Sequence, residues 1–406
     1  MSIETPCDSG QPLACRVCQS ELFAKIVSLP AMPLTDDFVS ANEPGKAEFL
    51  HDIQIFECGQ CGVVQNPFDF NYSAYYRDYQ YSSGHSGFAQ EFMRRYAGVA
   101  IDAFAAANGR QPERVLEIGS GDGAQLRCFI DAGTAQVKGV EPSEYLAGIA
   151  NQAGIDTEVA LFDKHILPLG LGQFDICTSS YTFDHVRNPG EYLSVANEML
   201  VEGGILAIEV HDLEKIVKRA EFCLFEHEHT IYLTPDDIQR LAESAGFKVL
   251  AINPVPADCV RGNSLIVLAV KVRPALFVAA RKPGGNPALL ALNAHIQDLT
   301  RRIDQWVCDL PEGASVVGFG AGGRGVMTLA GLQHHGRFKA LFDSNYKSNV
   351  YLTPKTRIPV VGPEDWKQFK ESYCLVFSFG YLGEITQQLI AEGFAPSRIH
   401  SLLDFY

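Results

Sequence analysis

Several features are missing from this chain of 406 residues, and each absence excludes a class of protein. No apolar run reaches the roughly 18–20 residues that a membrane-spanning helix needs. The opening sequence, MSIETPCDSG, has no basic stretch followed by an apolar one, so we expect no secretory signal. A basic stripe is also missing, because 33 Lys and Arg stand against 48 Asp and Glu, for a net charge of −15. We therefore expect a cytoplasmic protein with no membrane or nucleic-acid partner.

The cysteine pattern argues against a disulfide framework. Four of the 11 cysteines form two Cys-x-x-Cys pairs, Cys15 with Cys18 and Cys58 with Cys61. The remaining cysteines are scattered, mostly within apolar runs: Cys7, Cys128, Cys177, Cys223, Cys259, Cys308 and Cys374. An odd total, dispersed spacing and the lack of a signal all indicate a reducing compartment.

The two Cys-x-x-Cys pairs predict a zinc site. Each pair presents two thiolates from one tight turn, to which Gly59 and Gly62 are suited, and two such pairs complete a tetrahedral shell. Four thiolates leave no coordination position open for water, so the zinc is expected to be structural rather than catalytic. Two alternatives remain open at this stage, a set of redox dithiols and simple buried cysteines.

The chain divides into four segments by composition and pattern. Residues 1–75 are turn-rich and are predicted to form a small β-rich, metal-stapled module. Residues 76–270 alternate apolar strands with helical stretches, residues 271–312 form a linker and an amphipathic helix, and residues 313–406 restart the alternation. Such alternation is typical of parallel sheets, so we predict an α/β fold with two Rossmann-like domains. The strands predicted in the second segment are RVLEIG, QVKGVEP, IDTEVAL, FDICTSS, GGILAIEV, FKVLAI and SLIVLAV.

A glycine-rich turn, Gly119-Ser-Gly121-Asp-Gly123, follows the first of these strands. Glycines let a backbone approach a ligand closely, and the helix that follows offers free N–H groups at its positive end. The pattern alone fits a nicotinamide dinucleotide as well as S-adenosylmethionine (SAM).

Three details favour SAM. Glu117 lies just before the turn, where a carboxylate meets the amino acid portion of SAM, which carries an ammonium group. Glu141 ends the next strand, where a carboxylate binds ribose hydroxyls. The turn is also shorter than GxGxxG and has no third glycine at the pyrophosphate spacing. Residues 76–270 are therefore predicted to be a class I SAM methyltransferase domain. Phe162 and Asp163, after the third strand, are expected to border the adenine, and Ser179, Ser180 and Tyr181, which end FDICTSSY, to face the methyl donor.

Candidate catalytic groups are concentrated in Phe225-Glu-His-Glu-His229. In a strand, His227 and His229 would face one side and Glu226 and Glu228 the other, whereas in a helix all four would spread around the axis. A histidine beside a glutamate suits a general base near neutral pH. A metal site is an alternative, although the spacing is not that of HExxH, and a solvated polar loop is another.

A second glycine loop, Gly318-Phe-Gly-Ala-Gly-Gly-Arg-Gly325, opens a helix in the last segment. Arg324 is placed to bind a phosphate, and Asp343 ends the next strand at a ribose-binding position. A glycine turn without any ligand is the alternative. Tyr79 and Tyr81 precede the SAM domain and are expected either to touch the substrate or to pack at a domain junction.

Taken together, these motifs resemble the nucleotide-sugar C-methyltransferases, in particular the C-3′ methyltransferases of deoxysugar biosynthesis. The matching elements run through nearly the whole chain in the family's order: CRVC and CGQC, YQYSS at residues 79–83, the glycine turn, GVEPS, His185, Glu228-His229, GFGAGGRG and LTPKTRIPV. The resemblance implies a structural zinc, a nucleotide sugar as substrate and SAM as methyl donor. It also implies methylation of the carbon beside the ketone of a TDP-4-keto-6-deoxy sugar, after a base has removed the α-proton.

The same resemblance suggests residue roles. His229 matches the base, Glu228 orients or replaces it, and His185 and Tyr181 lie near the end of the fourth strand, within reach of the substrate oxygen. The chain departs from the family pattern where Glu226 replaces a tyrosine, Tyr181 an asparagine and Arg324 a lysine. Three other functions remain open: an O- or N-methyltransferase of another metabolite, a nicotinamide-dependent oxidoreductase, and a zinc-ribbon regulatory protein.

Overall fold

The structure, a computed structural model, describes residues 13–20, 24–43, 45, 47–69, 72–77, 87–256, 259–260, 262–275, 277 and 284–406, with side chains from residue 75 onward in 72–77. Contacts divide these residues into two compact units. The first contains residues up to Ala24, Phe56–Leu213 and His229–Gly285, and the second contains Lys25–Ile55, Glu214–Glu228 and Asn286–Tyr406. The units do not follow sequence order, and the predicted boundaries at residues 75, 270 and 312 stay a prediction.

The helices and strands follow in chain order. The α-helices are α1 (Tyr72–Arg77), α2 (Gly87–Asn108), α3 (Ala124–Asp131), α4 (Glu144–Gln152), α5 (Pro189–Met199), α6 (Leu213–Arg219), α7 (Pro235–Ser244), α8 (Pro287–Asp309), α9 (Gly323–Gly331) and α10 (Leu382–Ala391). The strands are β1 (Ala24–Pro33), β2 (Val39–Ser40), β3 (Leu50–Glu57), β4 (Val64–Gln65), β5 (Arg114–Ile118), β6 (Gln136–Val140), β7 (Thr157–Glu158), β8 (Phe174–Ser180), β9 (Leu200–Val210), β10 (Ile231–Tyr232), β11 (Phe247–Ile252), β12 (Leu265–Lys271), β13 (Val316–Phe319), β14 (Phe338–Phe342), β15 (Tyr351–Leu352), β16 (Val360–Val361), β17 (Tyr373–Val376) and β18 (Ile399–Ser401). Short 3₁₀ helices lie at Lys164–Leu169, Phe183–His185, Phe222–Leu224, His335–Arg337, Pro363–Phe369, Pro396–Arg398 and Leu402–Phe405. None of the helices in the described ranges combines the length and apolarity needed to cross a bilayer.

The first unit is built on a seven-stranded sheet in the order β11-β12-β9-β8-β5-β6-β7. The five strands from β9 to β7 in this order are parallel, and β12 and β11 join antiparallel. Neighbouring residues of a strand point to opposite faces, so Val115 and Ile176 enter one apolar core while Leu116 and Cys177 enter the other. This double covering explains why these strands are nearly continuous apolar runs.

Two short pairings join the cysteine segment to the rest of the first unit. Strand β4 pairs antiparallel with Phe56–Glu57 on one side and with β10 on the other. Val17 and Val63 belong to the same apolar core as α7, and Arg240 of α7 donates a hydrogen bond to the Cys61 carbonyl at 3.3 Å. The cysteine segment is thus part of the core of the first unit.

The second unit contains a five-stranded parallel sheet in the order β16-β14-β13-β17-β18. Numbered along the chain this order is 3-2-1-4-5, which matches five of the six strands of the doubly wound nucleotide-binding fold. Its core includes Phe319, Phe342 and Trp366, with the Phe342 and Trp366 rings stacked 5.7 Å apart. Strand β1 lies beside β3, and β2 pairs antiparallel with β15. The predicted α/β fold class, with two Rossmann-like sheets, is confirmed.

One glycine in α9 is required by packing. A Cβ added at Gly325 would overlap the Gly320 carbonyl oxygen and press on the Phe377 ring at 3.2 Å. Gly383 in α10 has open space at the same position. We predict that Gly325→Ala destabilises the protein by about 1–3 kcal/mol through overpacking, whereas Gly383→Ala is neutral or stabilises by up to about 1 kcal/mol. Thermal unfolding of the two variants checks this, and equal midpoints would contradict the packing argument.

Candidate active site

The four predicted zinc ligands converge. The sulfur atoms of Cys15, Cys18, Cys58 and Cys61 all lie within 4.8 Å of one another. Sγ–Sγ distances of 3.6 Å separate Cys15 from Cys61 and Cys18 from Cys58. Zn–S bonds of about 2.3 Å in a tetrahedron require sulfurs ~3.8 Å apart, so the cage fits the ion closely. Among the described residues it is the one group of three or more such ligands that converges, so Glu226 to His229 do not form a metal site there.

Gln65 connects the thiolate cluster to strand β4. Its side-chain Nε2 donates to Cys15 Sγ at 3.1 Å, and its Oε1 accepts the Arg16 backbone N–H at 2.8 Å. Gln65 itself is fully buried and pairs with Ile231 of β10. Gln65, which orients the Cys15 thiolate, therefore also fixes the register of β10, the strand that follows His229.

The predicted donor cradle lies at the carboxyl end of β5. Gly119, Gly121 and Gly123 all have positive φ angles, between 54° and 82°. A Cβ at Gly119 would overlap the Thr182 side chain, whereas a Cβ at Gly121 would meet nothing within 4 Å. The turn thus packs tightly on one side and leaves room above Gly121, as a bound donor requires.

Glu141 holds this turn from β6. One carboxylate oxygen accepts the Gly121 N–H at 2.8 Å, and the other accepts the Ser143 N–H at 2.8 Å. Burial raises the pKa of Glu141, and these two N–H groups oppose that rise. Glu117 is also buried, at 3% exposure. Both predicted acids therefore flank the turn, and their lone pairs are the acceptors that a ribose or an ammonium group would use.

A pocket of about 340 Å³ lies in the first unit beside this cradle. Its wall includes Pro142, Val159, Leu161 and Asp163, which follow strands β6 and β7. Phe162 is not part of the wall, because its ring packs on Tyr192 at 5.1 Å. Of the two residues that the sequence predicted here, Asp163 lies in the pocket wall and Phe162 does not.

The predicted residues after β8 contact protein groups. Ser180 donates to the Glu209 carboxylate, and Tyr181 hydrogen-bonds with Ser264 at 2.9 Å and donates to the Asn263 carbonyl at 3.0 Å. Tyr181 has a left-handed backbone, with φ of 50°, which is uncommon for a tyrosine. Its ring lies 4.5 Å from that of His211.

Three imidazoles meet in the first unit. The His229 ring lies 4.7 Å from the His185 ring and 5.0 Å from the His211 ring, between ring centres. His229 is 5% exposed. A 2.8 Å hydrogen bond joins His185 Nδ1 to the Tyr76 hydroxyl. Two of the three histidines were predicted, and the structure brings them together.

His211 and its partner Asp184 were not predicted. His211 Nδ1 lies 2.7 Å from the Asp184 carboxylate. The signal available in the sequence was position alone, since His211 follows β9 and Asp184 follows β8 at the carboxyl edge of the sheet, where ligands bind in open α/β folds. Glu209, at the end of β9, was missed for the same reason.

The stretch from Glu226 to Glu228 belongs to the second unit and lies in irregular backbone after the Phe222–Leu224 helix, so neither the strand nor the helix option is correct. All three side chains are buried, which also excludes the solvated loop. His227 donates to the Met32 carbonyl at 3.1 Å, and burial lowers its pKa to about 4, so it stays neutral. Glu228 accepts from the Thr35 hydroxyl at 3.1 Å.

The two glutamates have unusual ionisation. Burial, and then the neighbouring charge of Glu228, raise the pKa of Glu226 well above its ordinary value. Burial and the charge of Asp36 raise the pKa of Glu228 to about 7. At neutral pH these carboxyls are therefore largely able to donate hydrogen bonds.

The second glycine loop contacts charged groups of its own unit. A Cβ at Gly323 would overlap the Glu226 carboxylate. The Arg324 guanidinium lies 3.4 Å from the buried Glu221 carboxylate and 4.1 Å above the Phe379 ring. Asp343 accepts the Ala321 N–H at 3.0 Å. Glu141 accepts the Gly121 N–H in the same way in the first unit. A role for Arg324 in phosphate binding stays a prediction, and Tyr79 and Tyr81 lie outside the described residues.

The cysteine cage yields a direct test. We expect elemental analysis of the purified protein to find one zinc ion per chain. Cys58→Ser should lose the ion and lower the unfolding midpoint by several degrees, because a structural zinc contributes its binding energy to folding. Cys308→Ser, which changes an exposed cysteine outside the cage, should change neither. A zinc-free protein with an unchanged midpoint would refute the assignment.

Comparison with known proteins agrees with this geometry. Three family models match: a zinc binding domain at residues 15–76, a methyltransferase domain at 89–252 and a C-methyltransferase C-terminal domain at 288–393. The C-methyltransferase NovU of Streptomyces niveus is 26% identical over 91% of this chain and 90% of its own length. A tRNA U34 carboxymethyltransferase of Vibrio cholerae is 32% identical over 23% of this chain and 31% of its own.

Among solved structures, the plantazolicin methyltransferase BpumL in complex with SAH is 15% identical, covers 46% of this chain and 85% of its own length, and has a TM-score of 0.36. The three family models together span most of the chain in one order, and NovU matches it almost end to end. An oxidoreductase and a regulatory protein are thereby set aside. The chain is a SAM-dependent methyltransferase, and in one order it matches a zinc binding domain, a methyltransferase domain and a C-methyltransferase C-terminal domain.

Proposed function

We propose that this enzyme methylates the carbon beside the ketone of a nucleotide-linked keto-deoxysugar, such as a TDP-4-keto-6-deoxy sugar. The observation that carries the proposal is the cluster of His185, His211 and His229 at the carboxyl edge of the sheet that also carries the glycine cradle. Methylation at carbon requires removal of a proton from a carbon acid, and imidazoles are the bases best suited to that step near pH 7.

The cluster and the cradle are joined through one short segment. Thr182, whose side chain packs against Gly119, begins the 3₁₀ helix that carries His185. The donor cradle and His185 are therefore held by contiguous chain within the first unit. Such a placement supports a reaction in which proton removal and methyl transfer occur on the same carbon of one substrate.

In the proposed reaction the donor supplies the methyl group and the protein supplies the base. SAM supplies an electrophilic methyl group bonded to a positively charged sulfur. His229 takes the α-proton, so a C–H bond breaks, an N–H bond forms and the electron pair moves into an enolate. The enolate carbon would then form the new C–C bond to the methyl group as the S–CH₃ bond of the donor breaks and the sulfur leaves as neutral SAH. His185 is proposed to stabilise the enolate oxygen, whereas that role for Tyr181 stays a prediction from the sequence, because its hydroxyl donates to the Asn263 carbonyl.

The nucleotide sugar itself is supported by the family likeness rather than by a contact. Roles for Glu226 and Glu228 in catalysis, and for Arg324, Tyr79 and Tyr81 in substrate binding, stay predictions of that likeness.

Donor binding can be tested with two matched acids. We predict that Glu141→Gln weakens SAM and SAH binding by about 10–100-fold, because Glu141 both holds the turn and supplies the ribose acceptor. Asp343→Asn alters the equivalent acid of the second sheet and should leave both affinities unchanged. Isothermal titration calorimetry measures both. Equal losses in the two variants, or none in Glu141→Gln, would contradict the assigned cradle.

The reaction can be tested with a TDP-4-keto-6-deoxyglucose-type substrate and SAM. We expect mass spectrometry to show a gain of one methyl group and NMR to place it on a ring carbon. With SAH in deuterated water, the α-position should exchange. His229→Asn should lower both exchange and turnover by about 10²–10⁴-fold, while His295→Asn, at an exposed helix position, should lower neither. A methyl group on oxygen or nitrogen would overturn the proposal.

A further inference from the structure

Asp184 is a buried carboxylate that the proposed reaction has not used. Its side chain is 2% exposed. One oxygen accepts from His211 twice, from the ring Nδ1 at 2.7 Å and from the backbone N–H at 3.2 Å. The other oxygen is buried with no hydrogen-bond partner among the described residues. A buried, incompletely satisfied carboxylate is costly, so its presence beside three imidazoles calls for a reason.

The hydrogen bond to Asp184 fixes the form of His211. When Asp184 is ionised its carboxylate accepts, so Nδ1 of His211 then carries the proton and Nε2 of the neutral ring keeps its lone pair. The ring is also held from the other side by the Tyr181 ring, 4.5 Å away. His211 therefore stands in one orientation and one tautomer, 5.0 Å from His229.

The main chain of Asp184 holds the residue after His229. The Asp184 carbonyl accepts the Thr230 N–H at 2.7 Å and the Thr230 hydroxyl at 3.0 Å. One residue thus positions His211 through its side chain and the His229 segment through its backbone. It also directly precedes His185 in the chain.

We propose that Asp184 is the positioning residue of the histidine cluster: it fixes His211 and, through its negative charge, stabilises the cation that forms on His229 when that residue accepts the substrate proton. This rests on the proposed function. When the α-proton moves to His229, positive charge appears inside a buried site where solvent cannot screen it. A fixed carboxylate nearby stabilises that charge without itself taking the proton, as the acid of a catalytic triad does.

The charge balance around Asp184 agrees with this role. Burial raises the pKa of Asp184 to about 7, and the charge of His229 and the His211 N–H oppose that rise. Among the described residues of the first unit, the rings of His185, His211 and Tyr232 face His229. None of these three carries a permanent charge, and Asp184 adds an acidic group to the cluster.

A substrate-free experiment tests the coupling. Carbon-13 NMR of aspartate-labelled, full-length protein, with zinc bound and SAH present, follows the carboxyl signal of Asp184 against pH. We expect a pKa of about 7, and an increase in His229→Asn, because the imidazolium that His229 becomes as the pH falls stabilises the carboxylate and the variant lacks it. His295→Asn should leave the titration unchanged. An identical titration in His229→Asn and wild type would overturn the proposal, whether or not a keto sugar proves to be the substrate.

Kinetics separate positioning from mere folding. With a keto-sugar substrate, Asp184→Asn should lower kcat on the order of 100-fold, with KM and SAH affinity changed less than about 3-fold, and should alter the acid limb of the kcat profile. The matched control is Asp175→Asn, which alters a second buried carboxylate, at the other end of β8, bonded to Arg110 and two backbone N–H groups. A similar kcat loss in Asp175→Asn, or a loss in Asp184→Asn confined to KM, would reduce Asp184 to a structural role.

If Asp184→Asn does not fold, the His211→Asn variant tests the proposed role instead, because it keeps the Asp184 carboxylate. Loss of the ring N–H that it accepts should raise the pKa of Asp184 and lower kcat with little change in KM. An unchanged kcat in folded His211→Asn would contradict the proposed coupling of Asp184 and His211. Absence of methylation in the wild type, with the expected NMR coupling intact, would count against the proposed function and not against the role of Asp184.

Discussion

The pairing of two residues of β4 with two of β10 is the constraint on which the proposed active site depends. Gln65 pairs with Ile231, and the Asn66 N–H donates to the Thr230 carbonyl at 3.0 Å. His229 therefore lies two residues before a strand of this small sheet, and Gln65 donates a hydrogen bond to the Cys15 thiolate. The zinc that the cysteines hold is structural in coordination, yet it sets the position of the proposed base through one side chain and one strand.

Buried acids recur in the first unit, and backbone or side-chain donors satisfy most of their oxygens. Glu141 accepts two backbone N–H groups, and Glu209 accepts from the hydroxyls of Ser180 and Ser264. Asp184 differs in keeping one oxygen without a hydrogen bond among the described residues. These buried carboxylates therefore place negative charge at two particular sites of an acidic chain. One is the proposed site of the sulfonium donor, and the other is the histidine cluster where we propose that an imidazolium forms.

Local patterns were enough to predict the parts of the molecule that regular structure determines. The apolar run RVLEIG folds as β5 and the turn at Gly119 to Gly123 adopts the left-handed backbone that glycine permits, because both depend on nearest neighbours. The cysteine cage was predictable because ligand type and spacing describe it fully. The rest of the site was not. Asp184 and His211 carry no motif, and only the ordering of β8 and β9 in the sheet brings them together. The segment at Glu226 was misjudged because periodicity cannot describe irregular backbone, whose burial is decided by tertiary packing.

The bonds from Glu141 to Gly121 and Ser143 have a consequence for how the donor is taken up. They hold the turn in its left-handed shape through contacts within the protein alone. The conformational entropy of the loop is therefore lost when the protein folds, not when the donor arrives. A rigid, preorganised cradle of this kind favours rapid exchange of spent for fresh donor, since neither arrival nor departure has to wait for the loop to reorganise.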